Sequence, residues 1–161
     1  LETIEEINDF VNLNKEWAKA KDLTITNPEK QKEILWKNHK SGIDKIFLAY
    51  KERKLIAGLR LGCFNKTVHT NFVISSYDIE SNLGGTLLTW YAVEWAKTNN
   101  FGIYDFSGGR VTASLLSYKK KWGGKETPYY IFRKIRKHSS YKLYLSVFNL
   151  IQKYHFLRSK K

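Results

Sequence analysis

Residues 104–124 have the sequence YDFSGGRVTASLLSYKKKWGG, in which aromatic and cationic side chains are interleaved. An apolar strand is predicted over Phe101–Phe106, with the acid Asp105 near its end and a glycine turn after it. A short helical run then leads to Tyr118, three consecutive lysines, Trp122 and a second glycine pair. This combination, flanked by flexible backbone, favours an anionic or carbonyl-bearing ligand over a place in the core.

Two side chains of this stretch are candidates for catalysis. The Lys119 ammonium can hold a phosphate or stabilise the oxyanion of a tetrahedral acyl-transfer intermediate. Asp105 can orient an incoming amine or accept its proton, and the alternative interpretation is that its carboxylate caps the glycine turn. We expect the substrate to be bound by Tyr118 and Trp122, as an apolar wall or a stacking surface, and by Arg110.

Three strand-like runs precede this stretch: Lys45–Tyr50, Leu55–Phe64 and Thr67–Ser75. The turns between them are polar and short enough for hairpins, so they predict an antiparallel meander. Regular alternation along the third run defines two sets of side chains, one on each face of the sheet. One set contains Val68, Thr70, Phe72 and Ile74, and the other contains His69, Asn71, Val73 and Ser75. His69 is therefore a further candidate for substrate binding, and a hydrogen-bonded sheet histidine is the alternative.

A strong helix is predicted over residues 87–100, after a polar loop over residues 76–82. Its apolar residues cover most of its circumference, which predicts a central and largely buried helix. Gly84, Gly85 and Thr86 are expected at its start, where free backbone N–H groups and the helix dipole favour a phosphate. They are candidates for binding a phosphorylated donor, and a plain turn is the alternative interpretation.

These elements predict an α/β fold with a mixed, mainly antiparallel sheet flanked by helices. Two N-terminal helices are expected before the sheet, the second capped by Asn27 and begun by the proline that follows it. A further strand is predicted over Pro128–Phe132 and a basic amphipathic helix over Ser139–Phe156. We therefore expect one domain over residues 1–137 and a C-terminal helix over residues 138–161.

The net charge of +13 is concentrated in the last third of the chain. Residues 1–109 contain 14 Lys/Arg and 14 Asp/Glu, whereas residues 110–161 contain 14 Lys/Arg and one acid, Glu126. This segregation predicts a polyanionic partner: nucleic acid, a phosphorylated cofactor or an anionic membrane. The alternative is a solvated basic face.

Several classes of protein are disfavoured by what the sequence lacks. It contains one cysteine, Cys63, and no CxxC, HExxH, P-loop or GxSxG motif, so a metal site, a P-loop nucleotide site or a triad hydrolase is not expected. No apolar run approaches the roughly 20 residues of a spanning helix, and the N-terminus has no signal-peptide pattern. We expect a reducing, cytoplasmic setting. The start without Met is expected of a processed chain or a fragment.

Three segments in order resemble the FemAB-like family of GNAT-fold acyltransferases, which includes the Fem-type enzymes that add amino acids to peptidoglycan precursors. The hairpin of the family is similar to IFLAYKERKLIAGLRL at residues 46–61. Its helix–strand segment is similar to TWYAVEWAKTNNFGIYDFSGG at residues 89–109, and its aromatic–lysine element to SYKKKWGG at residues 117–124. The resemblance covers nearly the whole chain and implies the C-terminal lobe of such an enzyme, whose two lobes are both GNAT-like.

The resemblance implies transfer of an acyl or aminoacyl group to an amine, in cell-wall or surface-glycan precursor synthesis. Tyr118 and Lys119 correspond to the aromatic–lysine pair at the active site of the family, with Lys119 as the cation that binds the oxyanion or a phosphate. The implied donor is aminoacyl-tRNA or acyl-CoA, with no tightly bound cofactor. A charged tRNA, a phosphorylated glycan precursor and the inner face of an anionic membrane all suit the basic C-terminal region.

Two alternatives stay open at this point. One is a non-catalytic half-domain whose basic third binds RNA or an anionic membrane. The other is an acetyl-CoA-dependent N-acetyltransferase that acts on small molecules.

Overall fold

The computed structural model describes residues 1–23, 27–76, 79–107 and 112–128, together with residues 130 and 146; for residues 79–82 it describes the backbone alone. The chain forms two compact units, Leu1–Gly124 and Lys125–Lys161. In chain order the elements of the first unit are α1 (Ile4–Ala20), α2 (Pro28–Lys40), β1 (Asp44–Lys51), β2 (Lys54–Phe64), β3 (Thr67–Ser75), α3 (Ile79–Thr98), β4 (Ile103–Asp105) and α4 (Ala113–Lys121).

Most of the predicted C-terminal elements lie outside the described residues. Of the strand predicted over Pro128–Phe132, residues 128 and 130 are described, and neither lies in a strand. Of the predicted amphipathic helix, only Ser146 is described, and it is helical. The domain boundary predicted at residue 137 also falls outside the described part and stays a prediction.

The four strands form one sheet in the order β1-β2-β3-β4. The first three are antiparallel neighbours, and β4 runs parallel to β3. Both hairpins close with two residues at positive φ, Glu52 (48°) with Arg53 (66°) and Asn65 (41°) with Lys66 (61°). Two positive φ angles in succession give the turn whose twist matches that of the strands it joins. The predicted mixed, mainly antiparallel α/β fold is confirmed.

Each face of the sheet is covered by helices, so the unit has two cores. On one face α1 and α2 pack on the sheet through Ile7, Phe10, Val11, Leu13, Leu35, Ile46 and Ile74. On the other face α3 packs on the sheet through Phe47, Ala57, Leu59, Leu61, Val68, Leu88, Ala92 and Ala96. The sheet is therefore a central layer between two groups of helices.

The starts of α1 and α2 are set by their first residues. Thr3 and Glu6 form a capping box at α1, in which each side chain accepts a hydrogen bond from a backbone N–H of the other residue. Asn27 caps α2 by accepting from the N–H groups of Glu29 and Lys30, with Pro28 in the first turn. The capping predicted for Asn27 is confirmed.

The regular alternation predicted for β3 is wrong because the strand contains a bulge. Consecutive residues of β2 pair first with Phe72 and then with Thr70, which leaves Asn71 as the extra residue. An extra residue reverses the alternation. As a result Val68 packs on the α3 face, whereas Phe72 and Ile74 pack against α1 and α2.

The predicted start of α3 is also wrong, because the helix begins at Ile79 and already includes both glycines. Gly84 and Gly85 are buried against the sheet. A Cβ atom at Gly84 would lie 3.1 Å from the Cβ of Ala57, and one at Gly85 would lie 3.0 Å from the Oγ of Ser75. The two glycines therefore allow α3 to approach the sheet closely, which outweighs their low helix propensity.

The prediction that the helix of residues 87–100 is largely buried is wrong for one of its sides. Four large apolar side chains are each more than half exposed: Leu83, Leu87, Trp90 and Tyr91. Their spacing places Leu83, Leu87 and Trp90 on the side of α3 that faces away from the sheet, and Tyr91 at its border, where its ring centroid lies 5.2 Å from that of Phe47 on β1. Only the opposite side, which includes Leu88 and Ala92, contributes to the core.

Candidate functional site

The strands β3 and β4 are paired over a short length only. Three residues of β4 pair with Thr67–His69, and no strand among the described residues pairs with that edge of β3 beyond His69. Backbone N–H and C=O groups along an unpaired edge can bind an extended ligand. The opening between the two strands lies directly beside the bulge at Asn71.

Adjacent rungs of this short pairing direct side chains to opposite faces of the sheet. Val68 pairs with Tyr104 and His69 pairs with Asp105. Tyr104 packs on the α3 side with Val68. Because neighbouring residues of a strand alternate, His69 and Asp105 lie on the side of α1 and α2.

His69 and Asp105, both predicted site residues, form a close pair. The Nδ1 of His69 lies 2.9 Å from Oδ2 of Asp105, and the two side chains are 44% and 46% exposed. The other carboxylate oxygen of Asp105 accepts a hydrogen bond from the N–H of Ser107 at 2.7 Å. Asp105 therefore caps the following turn and orients an imidazole at the same time.

Ser107 links this pair to the predicted lysine. Its φ of 60° lies in the left-handed region, which turns the chain sharply after β4. Its hydroxyl donates to the carbonyl of Thr70 at 2.6 Å, and its own carbonyl accepts from Nζ of Lys119 at 2.5 Å. Lys119 thus binds α4 to the turn that Asp105 caps.

A second polar group lies on the α3 side of the opening. The hydroxyl of Tyr104 accepts from Oγ1 of Thr70 at 3.0 Å, and the hydroxyl of Tyr118 donates to Oγ1 of Thr89 at 3.4 Å. Burial raises the pKa of Tyr104, and the nearby Tyr118 raises it further, although the Thr70 hydrogen bond acts in the opposite direction. The Tyr104 phenol is protonated at neutral pH, and because its oxygen accepts from Thr70 its O–H can donate a hydrogen bond.

Trp122 packs against other aromatic rings next to this group, and its predicted role in binding a substrate stays a prediction. Its ring centroid lies 5.9 Å from that of Tyr118, 6.4 Å from that of Trp90 and 6.5 Å from that of Phe106. Contacts of this kind hold large rings in place by dispersion. These rings connect α4, α3 and the end of β4.

The structure brings five of the predicted site residues to this opening: Asp105, His69, Lys119, Tyr118 and Trp122. Gly84 and Gly85 lie in the second turn of α3 and not at its start, and Thr86 is exposed on the same helix. Their role in binding a donor stays a prediction. Arg110 lies outside the described residues.

Sequence reasoning missed four residues of the network: Thr70, Thr89, Tyr104 and Ser107. Tyr104 and Ser107 belong to the stretch that carries the other candidates, so their position was a usable signal. Thr70 and Thr89 have no such signal, because the bulge and the packing of α4 near α3 bring them there.

A cavity of about 390 Å³ lies elsewhere, at the ends of α2 and α3 near the start of β1. It is lined by His39, Gly42, Asp44, Lys45, Cys63, Trp95, Asn99 and Phe101. Its main charged groups are already engaged, because Asp44 accepts from Arg60 at 2.8 Å and Lys45 lies over the ring of Trp95. We therefore place the candidate site at the strand opening, where polar groups converge.

Within the described residues, no three His, Cys, Asp or Glu side chains are grouped to hold a metal ion. Among the helices that the structure describes, none has the length and apolar character needed to cross a membrane.

Comparisons with solved structures agree with this topology. A predicted acetyltransferase from Clostridium acetobutylicum, solved with acetyl-CoA, superimposes with a TM-score of 0.65 at 12% identity, over 84% of this chain and 94% of its own. The chain has the GNAT fold. A probable acetyltransferase gives a TM-score of 0.67 at 15% identity over 84% and 94%, respectively.

A third structure with this fold is an aminoglycoside acetyltransferase from an uncultured soil metagenomic sample, solved with sisomicin. It gives a TM-score of 0.62 at 13% identity over 83% of this chain and 90% of its own. No protein-family model and no curated protein matches the sequence.

Proposed function

We propose that this protein is an N-acetyltransferase that transfers the acetyl group of acetyl-CoA to an amine. The observation that carries the proposal is the opening between β3 and β4 beside the bulge, in a fold shared with a protein solved with acetyl-CoA. Among the functions considered from the sequence, we therefore prefer the acetyl-CoA-dependent N-acetyltransferase that acts on small molecules. A cytoplasmic setting is part of the proposal.

Donor binding in this proposal uses the edge of β3 beyond His69, with which no strand of the described part of the chain pairs. The pantetheine arm of CoA contains two amides, and an extended chain of amides can add to a strand edge through backbone hydrogen bonds. The bulge at Asn71 turns local backbone groups out of the regular ladder. Backbone N–H groups displaced in this way are suited to donate hydrogen bonds to the thioester carbonyl oxygen and to stabilise its developing negative charge.

The chemistry in this proposal starts with attack of a neutral amine on the thioester carbon. The tetrahedral intermediate collapses with cleavage of the C–S bond, and the CoA thiolate then takes a proton. Tyr104 is suited to provide a hydrogen bond or proton to the leaving sulfur, because its hydroxyl lies on the α3 side of the opening and accepts from Thr70, which leaves its own O–H to donate. Lys119 acts on the site by fixing the turn at Ser107, and its direct contact with an oxyanion stays a prediction.

The test measures donor binding and turnover separately. Calorimetry is expected to show saturable binding of acetyl-CoA, and a thiol assay is expected to show CoA release that depends on an added amine. Tyr104→Phe should lower the rate of CoA release by about 10-fold or more while donor binding stays within about twofold. Tyr50→Phe, which removes a phenol from β1, is the matched control and should leave both unchanged. Absence of saturable acetyl-CoA binding would refute the proposal.

A second candidate is transfer of an aminoacyl group from charged tRNA, as in the Fem-type enzymes of cell-wall synthesis. The specific observation in its favour is the basic excess of residues 110–161, with 14 Lys/Arg against one acid. Binding of tRNA through six to ten phosphates would weaken by about 10³–10⁵-fold between 50 and 200 mM salt. This candidate gains support only if charged tRNA binds more tightly than uncharged tRNA at both salt concentrations. A basic contact with a membrane is tested in the same way, with anionic and neutral vesicles.

A further inference from the structure

His69 and Asp105 lie on a part of the sheet that α1 and α2 leave open. The core beneath these helices reaches Ile74 and Phe72 on β3, beyond the bulge. On the other side of the bulge, the side chains of His69 and Asp105 are almost half exposed. A molecule that approaches from this face therefore reaches the imidazole and the strand opening together.

Exposed apolar side chains lie close to the pair. Gly62 on β2 is the cross-strand neighbour of His69, and the side-chain amide of Asn71 lies over it, 3.1 Å from the place of a Cβ atom. One rung further along the same face, Phe64 and Ile103 flank Thr67 and are 78% and 61% exposed. An imidazole–carboxylate pair beside exposed apolar side chains suits an amine attached to an apolar group.

We propose that His69 is the general base that deprotonates the acceptor amine, with Asp105 as its positioning residue. This inference rests on the proposed acetyl transfer. When Nδ1–H of His69 donates to the Asp105 carboxylate, Nε2 carries the lone pair and can accept a proton. Donor and acceptor then approach from opposite faces: the thioester beside Tyr104, and the amine beside His69.

The proton balance of the step is as follows. The acceptor ammonium transfers one proton to Nε2 of His69, and the neutral amine forms the C–N bond with the thioester carbon. Collapse of the intermediate breaks the C–S bond and gives the amide and the thiolate. At this stage the nitrogen releases its second proton, which balances the proton taken up by the sulfur. The first proton, held on His69, passes to solvent.

The charged groups around His69 are few within the described residues. Asp105 is the ionisable group in contact with its ring. On the same face, Asp44 and Arg60 of the neighbouring strands are paired with each other at 2.8 Å. On β4's side, Lys119 is bound to the Ser107 carbonyl. The Asp105 carboxylate is therefore the group that orients the imidazole.

The test compares two nucleophiles at pH 7.5 with saturating acetyl-CoA. The nitrogen of 2-phenylethylamine is protonated at this pH and needs a base, whereas hydroxylamine is largely neutral and does not. For His69→Gln, which can still donate to Asp105, kcat/KM for 2-phenylethylamine should fall by about 100-fold or more, the typical contribution of a general base. Its rate with hydroxylamine should stay within about threefold of the wild type. Asp105→Asn should show the same selectivity with a smaller loss.

The matched control is His39→Gln on α2, which should change neither rate. If His69→Gln keeps the wild-type rate with 2-phenylethylamine, or loses both rates equally, the inference is overturned while acetyl transfer stands. If the wild type releases CoA with neither nucleophile, the inference is overturned, and the proposed function is overturned with it only if calorimetry also shows no saturable binding of acetyl-CoA. Calorimetry with acetyl-CoA then distinguishes loss of the donor site from loss of chemistry.

Discussion

Gly58 is expected to be a position where one added methyl group destabilises the fold. It lies on β2 beneath α1, and a Cβ atom there would be 2.6 Å from both Cδ2 and Cε2 of Phe10. Phe10 is fully buried and its ring packs 5.7 Å from that of Phe72. Because the ring has no free space to move into, Gly58→Ala forces α1 away from the sheet or the ring out of its rotamer.

The size of the effect follows from overpacking, which typically costs about 1–3 kcal/mol in a well-packed core. With about 2.1 cal/mol/K of unfolding entropy per residue, a chain of 161 residues should lose about 3–9 °C in Tm. Phe10→Ala removes both clashing atoms, so Gly58→Ala should cost almost nothing in that background. The double-mutant cycle should therefore give a coupling of about 1–3 kcal/mol.

The assay is urea unfolding of the four proteins of the cycle, followed by circular dichroism. Gly102→Ala is the matched control, because a Cβ there meets only the carbonyl of Lys66, at 4.0 Å. Equal midpoints for Gly58→Ala and Gly102→Ala, or strictly additive effects in the cycle, would refute the reasoning that α1 rests on this glycine.

Three further predictions concern α4 and two titrating groups. Lys119→Met should lower the free energy of unfolding by about 1 kcal/mol, because it removes a partly buried, charge-assisted hydrogen bond to the carbonyl of Ser107. Lys121→Met, which changes an exposed lysine of the same helix, should have no effect in the same thermal melt. Backbone N–H groups hold the pKa of Glu6 in the folded protein below its ordinary value of 4.5. The Glu6 carboxylate therefore stabilises the fold above pH 4.5, and this contribution is lost as the pH falls through the pKa of the folded state. Glu6→Gln should flatten this loss of stability in acid, measured as urea midpoints. Burial, and then a neighbouring carboxylate, raises the pKa of Tyr50 from 10.0 to about 12, so the folded state keeps the proton longer and stability should fall as the pH rises from about 10 to about 12. Tyr50→Phe should reduce that alkaline fall, and an unchanged pH profile would contradict it.

Much of the fold was predictable because local signals and the final packing agree. The hairpin at Asn65-Lys66 and the cap at Asn27 depend on residues a few positions apart, whose chemistry is visible in the sequence. The bulge at Asn71 was not predictable, because it depends on how two strands pair. One extra residue there was enough to reverse the faces assigned to Phe72 and Ile74.

The start and the burial of α3 were missed for a related reason. A pair of glycines predicts a turn, yet tertiary contact with Ala57 and Ser75 makes glycine the residue that fits inside this helix. Composition also cannot tell a buried apolar side from an exposed one, so Trp90 and Tyr91 were assigned to the interior.

The candidate site was predicted in part. The interleaved aromatic and cationic residues drew attention to Lys119, Tyr118 and Trp122, which the structure brings to one opening, and their role in a site stays a prediction. The pairing of His69 with Asp105 joins residues 36 positions apart and needs the parallel β3–β4 contact. The threonines that complete the network have no chemistry that marks them in a sequence.

The short pairing of β4 also has a consequence for amide hydrogen exchange. A strand of three residues contributes few ladder hydrogen bonds, whereas β2 and β3 are paired over most of their length. The amides of β4 and α4 should therefore exchange through local opening at a lower free energy than those of β2. A ligand that binds only when this segment is folded stabilises the folded form by mass action. Donor binding should therefore slow exchange most in this segment, at the residues where β3 and β4 diverge.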